Sequence, residues 1–478
     1  MLTIEEILTL EADKAIEALK KRPTEPPNAA EIKKDYEVAG HKVMDPGERP
    51  NKSVKVDLPA NDNPNHQNVG GGGTMTKIVN VVRVALALQK KIVRVAASFI
   101  FGIPVKYNAT PSNEDEKTAH RAIGKTIRKN KMSSFDRKLA RSIFAYKEAA
   151  EYWYAIEKPN KDYGFQAQHK LRVAMFSPKY GDALYPLFDE HGDLIAFSRE
   201  YSVSENGKDV LFFETYTENA VIKWRKGEMT WEQVSVSQHD LGKIPIVYGY
   251  QEATEFEDVQ GMIERLETIL SNHGDTNDYH GSPKMAVRGR VIGFAQKGES
   301  GGIIEIDGEK GEAKYLSWDH APESVRMEIE NLLKLIHSLT QTPDISFETI
   351  KGLGALSGIA LRLMFMDAHL KVIDKREIFD EYLERRISII KTYLAKMNKK
   401  LATAFEELEI EPEITPFMID DEAGNIDMLM TATGNKPVVS QKTAVRMSGL
   451  VADPDSEFAE LEKQQEAERN VDIFEPTE

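Results

Sequence analysis

Residues 342–366 constrain the fold of this chain more than any other stretch. Thr342-Pro343-Asp344-Ile345-Ser346-Phe347 opens a proline-started segment, punctuated at Gly352, Gly354 and Gly358, that runs without a polar spacer into a very long amphipathic helix. A loop between two strong helices is kept where it must move or touch something. The helix is predicted over Ser357 to Leu401, about 45 residues and roughly 65 Å if straight. Its apolar stripe of Ile359, Leu363, Met366, Leu370 and Ile373 slips phase at Asp374-Lys375-Arg376-Glu377. It resumes at Phe379, Leu383, Ile387, Ile390, Leu394, Met397 and Leu401. Such a slip predicts a bend or a change of packing partner.

Two more helices are predicted ahead of the loop. The first, over 254–273, aligns Phe256, Val259, Ile263, Leu266 and Leu270; the second, over 322–341, aligns Val325, Ile329, Leu332, Ile336 and Leu339. Between them, Gly281 to His320 carries strand-like runs at Met285-Ala286-Val287, Val291-Ile292-Gly293-Phe294 and Ile303-Ile304-Glu305-Ile306, with a Gly-rich turn over 298–302. From about 165 to 250 short apolar runs at 171–176, 194–197, 210–213 and 221–224 are separated by turns such as Glu205-Asn206-Gly207-Lys208. This predicts an antiparallel meander. Helices are also expected over 76–100, ending at Phe101-Gly102-Ile103-Pro104, and over 113–129 and 134–156. Residues 1–75 read as a short acidic helix and Pro-, Asn- and Gly-rich arms, with Gly70-Gly71-Gly72-Gly73 as a joint. A strand at 414–419 and a helical tail over 439–470 finish the chain.

Composition narrows the function. The 478 residues contain no cysteine, which excludes disulfides and thiolate-ligated metals. The N-terminus is acidic and lacks the apolar core of a signal peptide. The apolar stretch from Ile92 to Val105 is too short, and too interrupted by Arg94, to span a bilayer, so no membrane contact is expected. Net charge is −15, so any contact with nucleic acid is local, or is one in which sticking is a disadvantage.

No catalytic pattern survives a search. Gly124-Lys125-Thr126 lacks the earlier glycine of a phosphate-cradling loop, since Ala119 stands there, and it sits within a helical pattern. His273-Gly274-Asp275-Thr276-Asn277-Asp278-Tyr279-His280 could ligate a metal, but these residue types also end and cap helices, and that reading is preferred. The aromatic residues of 144–154 read as core rather than a base-stacking platform. In the insert, Lys284, Arg288, Arg290, Lys297, Lys310 and Lys314 could meet phosphate or an acidic partner. Equally, Glu299, Glu305, Asp307, Glu309 and Glu312 could balance them on a solvated face.

The order of these segments resembles the portal proteins of tailed bacteriophages, of the siphophage head–tail connector type, from about residue 76 to 470. Lys91-Ile92-Val93-Arg94 through Phe101-Gly102-Ile103-Pro104-Val105 looks like the wing helix. Tyr185-Pro186-Leu187-Phe188-Asp189, Ala196-Phe197-Ser198-Arg199-Glu200-Tyr201, Glu214 to Ile222 and Leu241-Gly242-Lys243-Ile244-Pro245 resemble the wing strands. Pro343-Asp344 followed by Ser357-Gly358-Ile359-Ala360-Leu361 looks like a tunnel loop opening its long helix.

The resemblance implies an α+β portal fold with a mixed wing domain, a two-helix stem, a small α/β clip, a tunnel loop with a long kinked helix, and a short helical crown. The implied division is an N-terminal arm (1–75), wing (76–253), stem helix (254–280), clip (281–320), second stem helix (321–342), tunnel loop (343–358), long helix with a returning strand (357–420), and crown with an acidic tail (421–478). It implies no catalytic residue, metal or cofactor. About twelve copies would form a ring at one capsid vertex, assembled in the host cytoplasm. Double-stranded DNA would pass through it in packaging and ejection. Ile350, Lys351, Gly352, Leu353, Gly354, Ala355 and Leu356 would face the DNA, and the six basic clip residues would contact the terminase large subunit or head–tail adaptor. Major capsid protein and scaffold are further implied partners. A cytoplasmic scaffold binding only proteins is the alternative.

Overall fold

The computed structural model describes residues 4–57, 74–280, 284–293, 305–316, 322–344, 363–417, 422–434, 438–448, 451 and 454–472. They fall into two compact units, one of residues 1–343 and 367–416, the other of 344–366 and 417–478.

The first unit opens with α1 (Ile4–Leu8) and α2 (Ala12–Leu19). Their apolar residues Ile7, Ala15, Ile16 and Leu19 share a core with Tyr185, Phe213, Trp224 and Trp231. An arm was expected here; Ile7, Ala15, Ile16, Leu19, Ile32 and Val43 are buried instead, while Asn51 to Lys55 are exposed. The side chain of Arg22, beside the Pro-rich stretch, is covered, pairs with Glu148 at 2.8 Å and donates to the Leu184 carbonyl at 2.7 Å. Sequence displays the helical stripe but not the distant sheet that covers it. Then follow α3 (Ala29–Tyr36), N-capped by Asn28, and the antiparallel ribbon of β1 (Lys52–Asp57) and β2 (Thr74–Val79).

The ribbon corrects the helix expected over 76–100, because α4 starts only at Leu88 and runs to Phe101. Thr74, Thr76, Ile78, Val79, Val81, Val82 and Val84 are β-branched and favour extension; the run matched the helical period because apolar residues recur at both spacings. After β3 (Lys106–Asn108), α5 (Glu114–Lys129) holds Gly124-Lys125-Thr126 well inside a helix, where Thr126 Oγ1 donates to the Ala122 carbonyl at 2.9 Å. Next, α6 (Met132–Tyr146) stops ten residues before its expected end at 156. Lys147 adopts φ 71° and donates its N–H to the Ile143 carbonyl, which turns the chain into β4 (Glu148–Asn160). Tyr152, Trp153 and Tyr154 suit a pleated surface. Trp153 and Phe144 are fully buried, as core residues.

The expected meander is present. β5 (Ala167–Phe176), β6 (Ala183–Phe188), β7 (Leu194–Glu205), β8 (Lys208–Tyr216), β9 (Ala220–Lys226), β10 (Trp231–Gln238) and β11 (Ile246–Tyr250) form two antiparallel sheets, ordered β10-β9-β8-β7-β6 and β11-β4-β5. Asn206 and Gly207, at φ 52° and 79°, close the β7–β8 hairpin in the two-residue turn that Asn-Gly favours.

α7 (Gln260–His280), the antiparallel pair β12 (Lys284–Gly293) and β13 (Glu305–Leu316), and α8 (Pro322–Leu339) follow in the expected order. The described helix α9 spans Met366–Met397 and is unbroken at Asp374–Glu377. It ends at Met397 rather than Leu401, with Asn398 capping a 3-10 turn before α10 (Ala402–Glu407). Within α9 the buried Arg386 lies 2.8 Å from Glu151 and 2.7 Å from Asp136, tying α9 to β4 and α6. Burial pushes the Asp136 carboxyl up to about 6, against the pull of Arg386. β14 lies at Glu411–Glu413, paired with the three-residue β3, so the strand expected at 414–419 is displaced toward its partner. The second unit contains α11 (Glu422–Thr433), α12 (Gln441–Ser448) and α13 (Pro454–Asp472), the helical tail that was expected.

Candidate functional site

The site is built around α7, α8 and the start of α9. Helix α7 is held by a ladder of unusual composition. The N–H groups of Val82, Val84 and Leu86 donate to Asp275 Oδ1, Ser271 Oγ and Glu267 Oε1 at 2.7, 2.9 and 2.7 Å. Alternate residues of the one segment thus meet every fourth residue of the helix, running antiparallel. Side chains here do the work of a strand partner, satisfying amides that burial would otherwise leave unpaired. His41 Nδ1 lies 2.7 Å from the same Glu267 oxygen. Arg49 bridges Asn272, Asp275 and the Val82 carbonyl.

Gly274 makes the approach possible. A Cβ there would lie 2.7 Å from Val82 Cγ1. The expected helix end at His273 is therefore corrected. Asp275 is a mid-helix anchor, and among the described residues no group of three metal-ligating side chains gathers.

The segment after α8 leaves the helix through a Schellman cap. Gln341 adopts φ 49°, its N–H donates to the Ser338 carbonyl, and the Thr342 N–H donates to that of His337 at 2.9 Å. Pro343 then forbids continuation. The open carbonyl end of α8 is closed by a side chain from another helix, as Lys371 Nζ of α9 donates to the buried Thr340 carbonyl at 2.7 Å. The same ammonium lies 2.6 Å from Glu255 Oε2, and Lys375 lies 2.6 Å from Oε1. Only 4% of the Glu255 side chain is exposed. Burial alone would raise its carboxyl, but Lys371 and Lys375 prevail and hold it below the ordinary range. Burial draws the Lys371 ammonium below its ordinary range, against Glu255.

Of the residues expected at the site, Ile350 to Leu356 and Lys297 lie outside the described residues. Lys284, Arg288 and Arg290 fall on β12, and Lys310 and Lys314 on β13. The register sets Arg288 opposite Glu312, Arg290 opposite Asp307 and Lys314 opposite Ala286. Sequence reading missed Glu255, Lys371 and Lys375, whose one available signal was the phase slip beginning at Asp374.

The slip marks a change of surroundings. Beyond it, Phe379, Leu383, Ile387, Ile390 and Leu394 are buried. Before it, Leu370 and Ile373 are 46% and 61% exposed, while Ala368, Lys371 and Val372 face inward. On α8, Met327, Leu335 and Leu339 are likewise exposed. Among the described residues, no helix is long and apolar enough to cross a membrane.

No curated protein matches the sequence. One solved chain, from the neck of an empty GTA particle computed with C6 symmetry, is 12% identical. The match covers 76% of this chain and 89% of that one, at a TM-score of 0.43. Another, from the neck of a native GTA particle computed with C12 symmetry, is 11% identical; the match covers 76% and 88%, at a TM-score of 0.42. The family described as phage portal protein, SPP1 Gp6-like, matches residues 20–470. With nearly its whole length matched, and with its α+β fold following the expected order, the chain belongs to the SPP1 Gp6-like phage portal proteins.

Proposed function

We propose that this portal protein acts as one subunit of a closed ring of about twelve copies at a capsid vertex. Double-stranded DNA passes through the ring during packaging and ejection. In this reading α7 and α8 are the stem, the β12–β13 ribbon belongs to the clip that meets the terminase large subunit and the head–tail adaptor, and 350–356 meets the DNA. Capsid protein and scaffold surround the ring, which assembles in the host cytoplasm.

Beyond family membership, one observation carries the oligomeric part. Met327, Leu335 and Leu339 on α8, with Leu370 and Ile373 on α9, are large apolar side chains left in solvent by a single chain. Apolar residues repeated along helix faces want a partner, and a ring supplies one from the next copy. The net charge of −15 fits a conduit rather than a clamp, because few phosphate contacts need breaking as DNA slides.

The test is the mass of the purified chain by light scattering, with negative-stain imaging. Rings with a central hole are expected. A monomer or dimer at every concentration would overturn the reading and leave the protein-binding scaffold in its place.

A further inference from the structure

We infer that Lys371 is a positioning residue for DNA passage, which together with Glu255 locks the start of α9 to the segment leading into α7 and to the end of α8. The inference rests on the portal reading above. Its basis is a convergence of separate segments on one carboxylate. Glu255 stands just ahead of α7, and its own N–H donates to the Phe144 carbonyl at 3.0 Å. Its two oxygens take Lys371 and Lys375, one helical turn apart on α9. Lys371 reaches on to the Thr340 carbonyl at the end of α8, and Lys375 to Gln251 Oε1 at 3.1 Å after β11.

Apolar packing alone would let α9 turn or slide through small rotamer changes. A buried carboxylate with two ammonium groups at 2.6 Å does not, because sliding would pull opposite charges apart where little water can replace them and would break the Lys371–Thr340 hydrogen bond. A buried ion pair adds little net stability, but removing one partner strands the other charge. Such a pair therefore specifies position more than it adds strength. Thr340 lies just before the segment that joins α8 to α9, and Lys371 lies just after it. The lock thus fixes both flanks of that connection relative to the stem, so that a displacement of α7 or α8 is passed to α9.

The experiment compares rings of the full chain carrying Lys371→Met, Lys371→Arg or Glu255→Gln with the unaltered ring. Hydrogen exchange is read at amides 338–342 and 367–373, and DNA filling and retention are read in particles. Lys371→Met and Glu255→Gln are expected to assemble and to speed exchange there by about tenfold or more, leaving 379–394 unchanged. They should lose DNA retention, and Lys371→Arg should restore both readouts. Lys371→Met rings that exchange and retain DNA like the unaltered ring would overturn the lock alone. Unaltered rings that neither fill with nor hold DNA would instead overturn the portal reading. If Lys371→Met fails to assemble, Glu255→Gln against Lys371→Arg decides, and equal exchange in those two overturns the lock.

Discussion

Helices α7 and α8 touch, with Arg265 of one on Glu328 of the other at 2.9 Å, yet they are covered in opposite ways. His41, Arg49 and residues 82–86 hold α7, burying Glu267 and Ser271 and anchoring Asp275, and its Ile263 and Leu266 are fully buried. Helix α8 has one buried apolar side chain among its described residues, Ile336, and exposes Met327, Leu335 and Leu339. One helix draws its partners from its own chain. The other leaves Met327, Leu335 and Leu339 exposed among the described residues, and the proposed ring would cover them. The difference separates residues that set the stability of the subunit from residues that set its assembly.

Four measurements break or sharpen that contrast, in order of expected effect. Glu267→Ala strands the Leu86 amide and His41 together and should cost about 3 kcal/mol or more, given that bonds to charged groups contribute about 1.5–3 kcal/mol each; denaturant unfolding of the subunit reads it. A loss below 1 kcal/mol would mean that the ladder does not hold α7. Gly274→Ala drives a methyl into Val82, and overpacking of this kind should cost about 1–3 kcal/mol by the same assay.

Acid probes the ladder's far rung. Burial alone would raise the Asp275 carboxyl, but the Val82 N–H, Lys52 and Arg49 overcome it and hold it below its ordinary 3.8. A depressed carboxylate contributes stability that is fully present above the unfolded value and is lost as pH falls through the folded one. Exchange at the Val82 amide, corrected for its intrinsic pH dependence, should therefore accelerate below pH 3.8. Unchanged protection there would remove Asp275 from the ladder. Last, Leu335→Ser on α8 should leave subunit unfolding within about 0.5 kcal/mol while weakening ring assembly measured by light scattering. A large loss of subunit stability would erase the contrast between the two helices.

Much of the fold could be read from residue order. The meander, the Asn206-Gly207 hairpin, α7, α8 and the buried stripe from Phe379 to Leu394 follow from period and turn chemistry, because each is a local pattern repeated along one element. The ladder could not be read this way. Val81 to Leu86 fits helical and extended templates alike, and what decides between them is three side chains nearly two hundred residues away. Glu255 and Lys371 escaped for a related reason. Glu255 lies in a turn that the helical pattern over 254–273 concealed, charges usually face water, and burial by distant elements leaves no mark in the local sequence. Lys284, Arg288, Arg290, Lys310 and Lys314 lie on the expected ribbon, and Glu312 and Asp307, two of the acids read from sequence as balancing them, stand opposite Arg288 and Arg290.

The ladder on α7 also behaves like a vernier. Two extended residues advance about 6.6–6.8 Å while four helical residues advance about 6.0 Å. The scales therefore part by roughly 0.7 Å with each rung, and across three rungs the drift approaches 1.5 Å, which the Asp275, Ser271 and Glu267 side chains take up. A fourth rung beyond Leu86 would meet Ile263, which has no acceptor side chain. The strap is thus self-limiting in length. Inserting a single residue between Val82 and Leu86 would not shift the pairing along but would present the wrong parity of amides to the helix.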